Sequence, residues 1–480
     1  MVETAEYRNL IGGELCAAKS AHMLDSISPA TGKVWARIPA SDGTDVDAAV
    51  AAASAAFPSW SSLPAAARAH HLKQVGKCLA EHGDELSRLE SLDNGWPHAD
   101  YVMKFGVGRT FLWERAAAST LEAVTGRSVI LDRSMMGYTR REPYGVVAAI
   151  IPWNAPLGIM GNKASLALAA GNTVVVKPAE QASVSILRLG ELLAKVLPPG
   201  VLNIVSGLGE QAGEPLVRHP RVGKITMTGS SETGKRIQRA AADTLTSSVF
   251  ELGGKSPNIV FADAHLDVAA GVIAQSIFTP NAGQGCIAGS RILVQRPILN
   301  DMLSRIQAIA AKIVLGDPFN PVTTMGPIVS QKQYERVTGY IEIGTREAEL
   351  VFGGRSGSGL VPALPGGYWV EPTLFMTADN SNRICQEEIF GPVAVVIPFE
   401  TDDEAIAIAN DSRYGLTAGI WTRDMARAHR FVRDLQSGNV WVNTYNQTRY
   451  ELPFGGIKDS GYGHDDVLEF TREKTAVFAT

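Results

Sequence analysis

From about Gly145 onward the chain repeats one rhythm: a short apolar run, a turn rich in Gly, Pro or Asn, then a segment with helical spacing. Val146 to Ile151 ends at Pro152-Trp153-Asn154, Thr173 to Val176 at Lys177-Pro178, Val201 to Val205 at Ser206-Gly207, and Lys224 to Met227 at Thr228-Gly229-Ser230. Runs without polar alternation suit strands buried on both faces of a parallel sheet. Between them Ile186, Leu189, Leu193 and Val196 recur at helical spacing, and Pro198-Pro199-Gly200 stops that helix. The alternation predicts a doubly wound α/β sheet. Earlier, Thr44-x-x-Asp47 reads as a capping box opening an Ala-rich helix with Val46, Val50 and Phe57 on one side. A second α/β unit follows Cys286: Arg291 to Val294 is a strand, Thr401-x-x-Glu404 opens a helix, and Asn439 to Asn443 is another strand. Phe352 to Gly359 and Leu364 to Gly367 are read as surface loops.

At 480 residues and 45% apolar content there is room for two or three domains with deep cores. No run approaches about eighteen apolar residues, and Met1 to Leu10 lacks the basic and apolar regions of a signal peptide, so neither a membrane span nor export is expected. A net charge of −5 with acids and bases interspersed leaves no electrostatic footprint for nucleic acid or anionic lipid. The four cysteines, Cys16, Cys78, Cys286 and Cys385, form no C-x-x-C, and the histidines show no zinc spacing. No disulfide framework and no metal are expected, and the implied compartment is a reducing cytoplasm.

Three of the cysteines read as small core hydrophobes. Cys286 differs, because Gly283 and Gly285 leave backbone N–H groups and space beside its sulfur. Upstream, Glu251 is a carboxylate between an apolar run and a pair of glycines. A thiol nucleophile with a carboxylate able to activate water is the minimum equipment for forming a thioester and hydrolysing it. The Gly207 to Ala212 stretch matches the G-x-G-x-x-A dinucleotide pattern, but the window Ile225 to Ser230 holds no carboxylate. Gly229 to Gly234 follows a strand and opens a helix, as a phosphate cradle would and as an ordinary capped helix start would.

Together with Pro152-Trp153-Asn154-Ala155-Pro156, Lys177-Pro178-Ala179-Glu180, Glu251 to Pro257, Gly283-Gln284-Gly285-Cys286, Glu387 to Pro392 and Pro453-Phe454-Gly455-Gly456, these pieces make the chain resemble the aldehyde dehydrogenase superfamily over essentially its whole length. The resemblance implies a Rossmann-like coenzyme domain (residues 1–121 and 144–254), an α/β catalytic domain (255–450), and a small β oligomerisation arm with the C-terminal tail (122–143 and 451–480). Arm and tail would pair between subunits of a homodimer or homotetramer, and the ordering of 125–138 would depend on that partner. The implied activity is oxidation of an aldehyde to its acid: Cys286 attacks the carbonyl, Asn154 and the Cys286 N–H hold the oxyanion, and Glu251 is the general base for hydrolysis. For the cofactor, Lys177 and Glu180 would hold the adenosine ribose, Ser230 with Gly229 and Gly234 the pyrophosphate, and Glu388 the nicotinamide ribose, with Phe390 packing nearby. Ile151, Trp153, Gly209 and Leu252 complete the expected cofactor contacts. Glu180 would repel a 2′-phosphate, which favours NAD over NADP. The Gly207 match then becomes a loop near the adenine.

Several positions depart from the family pattern. Ala155 and Asn162 stand where rings are common, which would widen an entry tunnel also lined by Ile159 and Phe454 and make it more polar. Thr448, Arg449 and Tyr450 precede Pro453, so a substrate larger or more polar than a short alkanal is expected, with Arg449 meeting an anion or serving as a solvated rim residue. Asp465 stands where a Glu behind the general base is common. A branch that transfers the acyl group to coenzyme A is the close rival and generally lacks a residue like Glu251; a catalytically silent scaffold is the other.

Overall fold

The computed structural model describes residues 4–101, 107–279, 281–449 and 452–479. Two large sheets organise it. The first has eight strands in the edge-to-edge order Gly461–Tyr462, Ser247–Glu251, Val222–Thr228, Val146–Ile151, Thr173–Pro178, Leu202–Ile204, Asn9–Ile11 and Glu14–Cys16. The five from Ser247–Glu251 to Leu202–Ile204 are mutually parallel, and antiparallel strands close both edges. The central strand shows why polar alternation is missing. Val147, Ala149 and Ile151 enter the core beneath one face, while Val146 and Ala148 enter the core above the other. Both faces of the pleat are therefore buried, as an all-apolar run requires.

The chain lays down the strands starting at Val146, Thr173 and Leu202 in one direction, then returns past Val146 to Val222 and Ser247. That reversal puts a topological switch point between the Val146 and Val222 strands, where the loops after Ile151 and Thr228 part to leave a crevice. The second sheet has seven strands, in the order Glu349–Phe352, Thr373–Met376, Val393–Phe399, Arg291–Gln295, Pro257–Val260, Thr417–Trp421 and Asn439–Val442. All are parallel except the first, and one apolar cluster including Ile259, Leu293, Val395 and Ile420 packs around them. Glu251 ends a strand of the first sheet, and Cys286 precedes a strand of the second, so the two sheets meet where the chemistry was expected.

Four expectations need correction. The first helix, Gly43–Ser61, is capped by Asp42, whose carboxylate accepts from Thr44 N while Asp45 reaches back to Asp42 N, two residues earlier than the Thr44 reading. The helix Val184–Leu193 ends before Val196, which lies in the following turn. Phe352 ends a strand, and Ser356 bridges to Val370, so that stretch is only partly loop. Finally, the tail strand Thr471–Ala479 pairs antiparallel with Met135–Pro143 of its own chain, from Thr471 opposite Pro143 to Ala479 opposite Met135. Val467 and Phe470, buried in the core beneath the first sheet, deliver the tail beside the arm. Gly461–Tyr462 likewise belongs to the first sheet and not to the arm.

Candidate active site

The loop carrying Cys286 leaves the helix Leu266–Phe278 and reverses through Ala282 and Gly283, at φ of 48° and 69°. A Cβ on Gly283 would lie 2.1 Å from the carbonyl oxygen of Gly391, so close backbone approach and left-handed geometry both demand glycine there. The space beside the sulfur is a matter for Gly285, whose Cβ would meet nothing within 4 Å. Sequence reasoning credited both glycines with one role; they have two. Gln284 is fully buried and anchors the turn: its Oε1 accepts from Val329 N at 2.9 Å, and its Nε2 donates to Asn281 O and Pro327 O. Beyond the thiol, buried Tyr445 donates its hydroxyl to Ile287 O at 3.0 Å.

Cys286 Sγ donates to Glu251 Oε1 at 3.4 Å, and the other carboxylate oxygen accepts from Thr228 Oγ1 at 3.2 Å. Burial pushes the Cys286 thiol well above its ordinary value, and the adjacent Glu251 charge pushes it further. Glu251 is also raised, first by burial and then by Asp465, with Lys163 opposing. A thiol hydrogen-bonded to a carboxylate is an arrangement in which the carboxylate can take the sulfur's proton.

Cys286, Glu251 and Asn154 share one cavity of about 340 Å³. Ala155, Ile159, Asn162 and Phe454 line it as expected, together with Trp96, Leu112, Arg115, Thr448 and Leu452. Arg449 is exposed and stands outside that lining, because its loop presents Thr448 and Leu452 inward, the placement of a solvated rim residue. Tyr450 lies outside the described residues. The cation on the wall is Arg115, which donates to Asn162 Oδ1 at 3.2 Å and to Asp465 O at 2.9 Å. Asn162 in turn donates to Asp465 Oδ2, and Lys163 Nζ lies 3.2 Å from Asp465 Oδ1. Lys163 was missed from sequence; a lone charge in an otherwise uncharged helix, Pro156–Ala169, was the available signal.

At the switch point of the first sheet opens a cleft of about 720 Å³ lined by Ile151, Trp153, Lys177, Glu180, Gly209, Gly229 and Ser230 among others. Lys177 Nζ is buried on its floor, 3.5 Å from Glu180 Oε2; burial lowers its pKa and Glu180 opposes that. The helix Ser231–Ala242, capped by Ser230 accepting from Thr233 N, points its N-terminus at the cleft. Two expected contacts stand behind the wall instead: a Cβ on Gly234 would come within 2.7 Å of Leu252, so this pair seats the helix on the sheet. The Gly207 match forms a single π-turn, Gly209–Gly213, on the cleft rim. From the segment that precedes the Val393–Phe399 strand of the second sheet, Phe390 meets Trp153 edge-on with centroids 5.2 Å apart, and Glu388 Oε1 accepts from Gly254 N at 2.9 Å. Burial pushes Glu388 up to about 7. Trp153 faces the cleft and Asn154 the thiol cavity, so adjacent residues join the two.

Among the described residues no group of three or more His, Cys, Asp or Glu is placed to hold a metal, and no helix is long and apolar enough to cross a membrane.

The pattern of the Aldehyde dehydrogenase family matches residues 16–477. A phenylacetaldehyde dehydrogenase of Pseudomonas fluorescens is 42% identical, covering 98% of this chain and 96% of its own length. A hydroxyisobutyraldehyde dehydrogenase of Mycolicibacterium austroafricanum is 41% identical, covering 97% and 92%. The crystal structure of the P. syringae indole-3-acetaldehyde dehydrogenase AldA in complex with NAD+ and IAA superposes with a TM-score of 0.96 at 37% identity, covering 100% of this chain and 98% of that one. With a thiol–carboxylate pair beside a switch-point cleft and full-length agreement in sequence and fold, this chain belongs to the aldehyde dehydrogenase family.

Proposed function

We propose that the chain oxidises an aldehyde to its carboxylic acid with NAD, using Cys286 as nucleophile and Glu251 as base. The observation that carries this reading is the 3.4 Å contact between Cys286 Sγ and Glu251 Oε1 in a cavity that Asn154 also lines. Glu251 takes the thiol proton as sulfur adds to the carbonyl carbon. The oxygen that gains charge is held by the Asn154 amide and the Cys286 N–H, donors of the oxyanion-hole kind. Bound dinucleotide supplies the hydride acceptor. The acyl group then rests on sulfur as a thioester. Once Glu251 has released its proton, it removes another from water, which attacks the thioester; the thiolate leaves and the acid is freed.

The cleft suits a dinucleotide. A buried ammonium beside a carboxylate, Lys177 and Glu180, matches ribose hydroxyls, and the N-terminus capped by Ser230 matches a pyrophosphate. Glu388, whose carboxylate accepts from Gly254 N, would hold the second ribose. Several relatives solved with NAD+ support the choice of cofactor.

The substrate is larger and more polar than a short alkanal. Trp96, Leu112, Ile159 and Phe454 supply apolar wall, and Arg115, Asn162 and Thr448 supply polar wall. The names of relatives acting on phenylacetaldehyde and indole-3-acetaldehyde support a body of aryl size. Val129, Ile130, Leu131 and Phe478, apolar residues left exposed on the arm, support a homodimer or homotetramer. Four free cysteines agree with a reducing cytoplasm. A kcat/KM panel with NAD and NADP against aliphatic, aromatic, amino- and carboxy-aldehydes tests cofactor and substrate together. Absence of acid product from every aldehyde, or full activity in Cys286→Ser, would remove the reading.

A further inference from the structure

We propose that Asn281 is a positioning residue that holds the two halves of the oxyanion-binding site at a fixed separation. Its side-chain Nδ2 donates to Asn154 O at 3.3 Å and to Gln284 O at 2.8 Å. An amide nitrogen carries two protons, so both contacts are satisfied at once. Asn154 follows a strand of the first sheet, and Gln284 lies two residues before the nucleophile in the loop leading into the middle strand of the second. No other side chain described donates to both segments. Asn94 Nδ2 reaches Asn154 O only at 3.5 Å.

The Cys286 side of this clamp is rigid. Asn281 O accepts from Gln284 N at 2.9 Å and from Gln284 Nε2 at 3.1 Å, and the left-handed residues Ala282 and Gly283 lie between. Gln284 is tied in turn to Pro327 and Val329. The Asn154 side is a loop after a strand, and its carbonyl is what Asn281 grips. The inference rests on the reading of Asn154 and the Cys286 N–H as oxyanion donors. A donor pair helps only if both members sit at hydrogen-bond distance from the position the charged oxygen will occupy. Asn281 sets that spacing from the cavity wall without contacting the reacting atoms.

The experiment compares Asn281→Ala and the isosteric Asn281→Asp, whose carboxylate cannot donate to either carbonyl. Both are expected to lose about a hundredfold in aldehyde kcat/KM, the cost of roughly 1 Å of misplacement. KM for NAD and the rate of Cys286 alkylation by iodoacetamide should stay at parental values, because alkylation needs the thiol but builds no charge on a carbonyl oxygen. Asn281→Ser, with one hydroxyl proton for two acceptors, should fall between. Parental turnover in Asn281→Ala, alkylation falling in step with turnover, or loss of folding in both variants would each overturn the assignment. Parental enzyme that fails to oxidise any aldehyde, or that works without Cys286, would instead sink the functional reading itself.

Discussion

Lys163 and Asp465 pair at 3.2 Å with neither side chain reaching solvent, across 302 residues of sequence. Both act on Glu251: Asp465 raises its pKa and Lys163 lowers it. As a base, Glu251 must be a carboxylate, so its pKa sets the pH below which kcat falls. In Asp465→Asn the raising charge is gone, and the acid limb of the kcat profile should move to lower pH. Lys163→Met leaves Asp465 buried and unpaired; the limb should move to higher pH, and unfolding should be easier by about 3–5 kcal/mol. Limbs that move together, or stay in place, would contradict this control of the base.

Glu251 also holds the thiol protonated. Replacing it by Gln keeps the shape and removes the charge, so the Cys286 pKa should fall, and the rise of alkylation rate with pH should begin at lower pH than in the parent. Turnover should nevertheless drop by about 10²–10⁴-fold, because water loses its base. Intact-mass measurement during turnover should then show an acyl group held on Cys286. A variant that hydrolyses its thioester at the parental rate would assign the base elsewhere.

The two glycines before the thiol should separate cleanly. Gly283→Ala forces an L-residue to φ of 69° and pushes Cβ against Gly391 O. The left-handed conformation alone costs about 1–2 kcal/mol, and the clash adds to it. Gly285→Ala meets open space and should be neutral or more stable by about 0.4–1 kcal/mol through the unfolded state. Thermal unfolding of the two proteins checks the contrast.

The four central strands beginning at Val146, Thr173, Leu202 and Val222 were legible because burial on two faces writes itself into consecutive residues, as in Val146–Ile151, whereas most strands of the second sheet were not read. Cys286 and Glu251 were singled out from local sequence, each within one turn or strand end, and the resemblance to the family pointed to residues that line the switch-point cleft. Asp42 was missed because two acidic residues close together offer several capping registers, and side-chain reach decides among them. Arg115 was not singled out, because which cation reaches the cavity depends on neighbours far away in sequence, such as Asn162 and Asp465. The Asn281 clamp was hidden for the same reason: its meaning lies in Asn154, 127 residues earlier.

Glu180 offers the sharpest test of cofactor choice. Its Oε2 faces Lys177, and its Oε1 accepts from Gln181 Nε2 at 2.9 Å, so the carboxylate is fixed on the cleft wall. A 2′-phosphate placed there would meet like charge, which Glu180→Gln removes while keeping a hydrogen-bonding group. The ratio of kcat/KM for NADP to that for NAD should rise about tenfold, equivalent to ~1.4 kcal/mol. The same change strips Lys177 of the charge that opposes its downward shift. Its ammonium should therefore be lost at lower pH than in the parent, and KM for NAD should climb earlier on the alkaline side. Initial-rate measurements with both cofactors across neutral to alkaline pH read the two effects separately, and an unchanged NADP ratio would mean that Glu180 does not face the ribose.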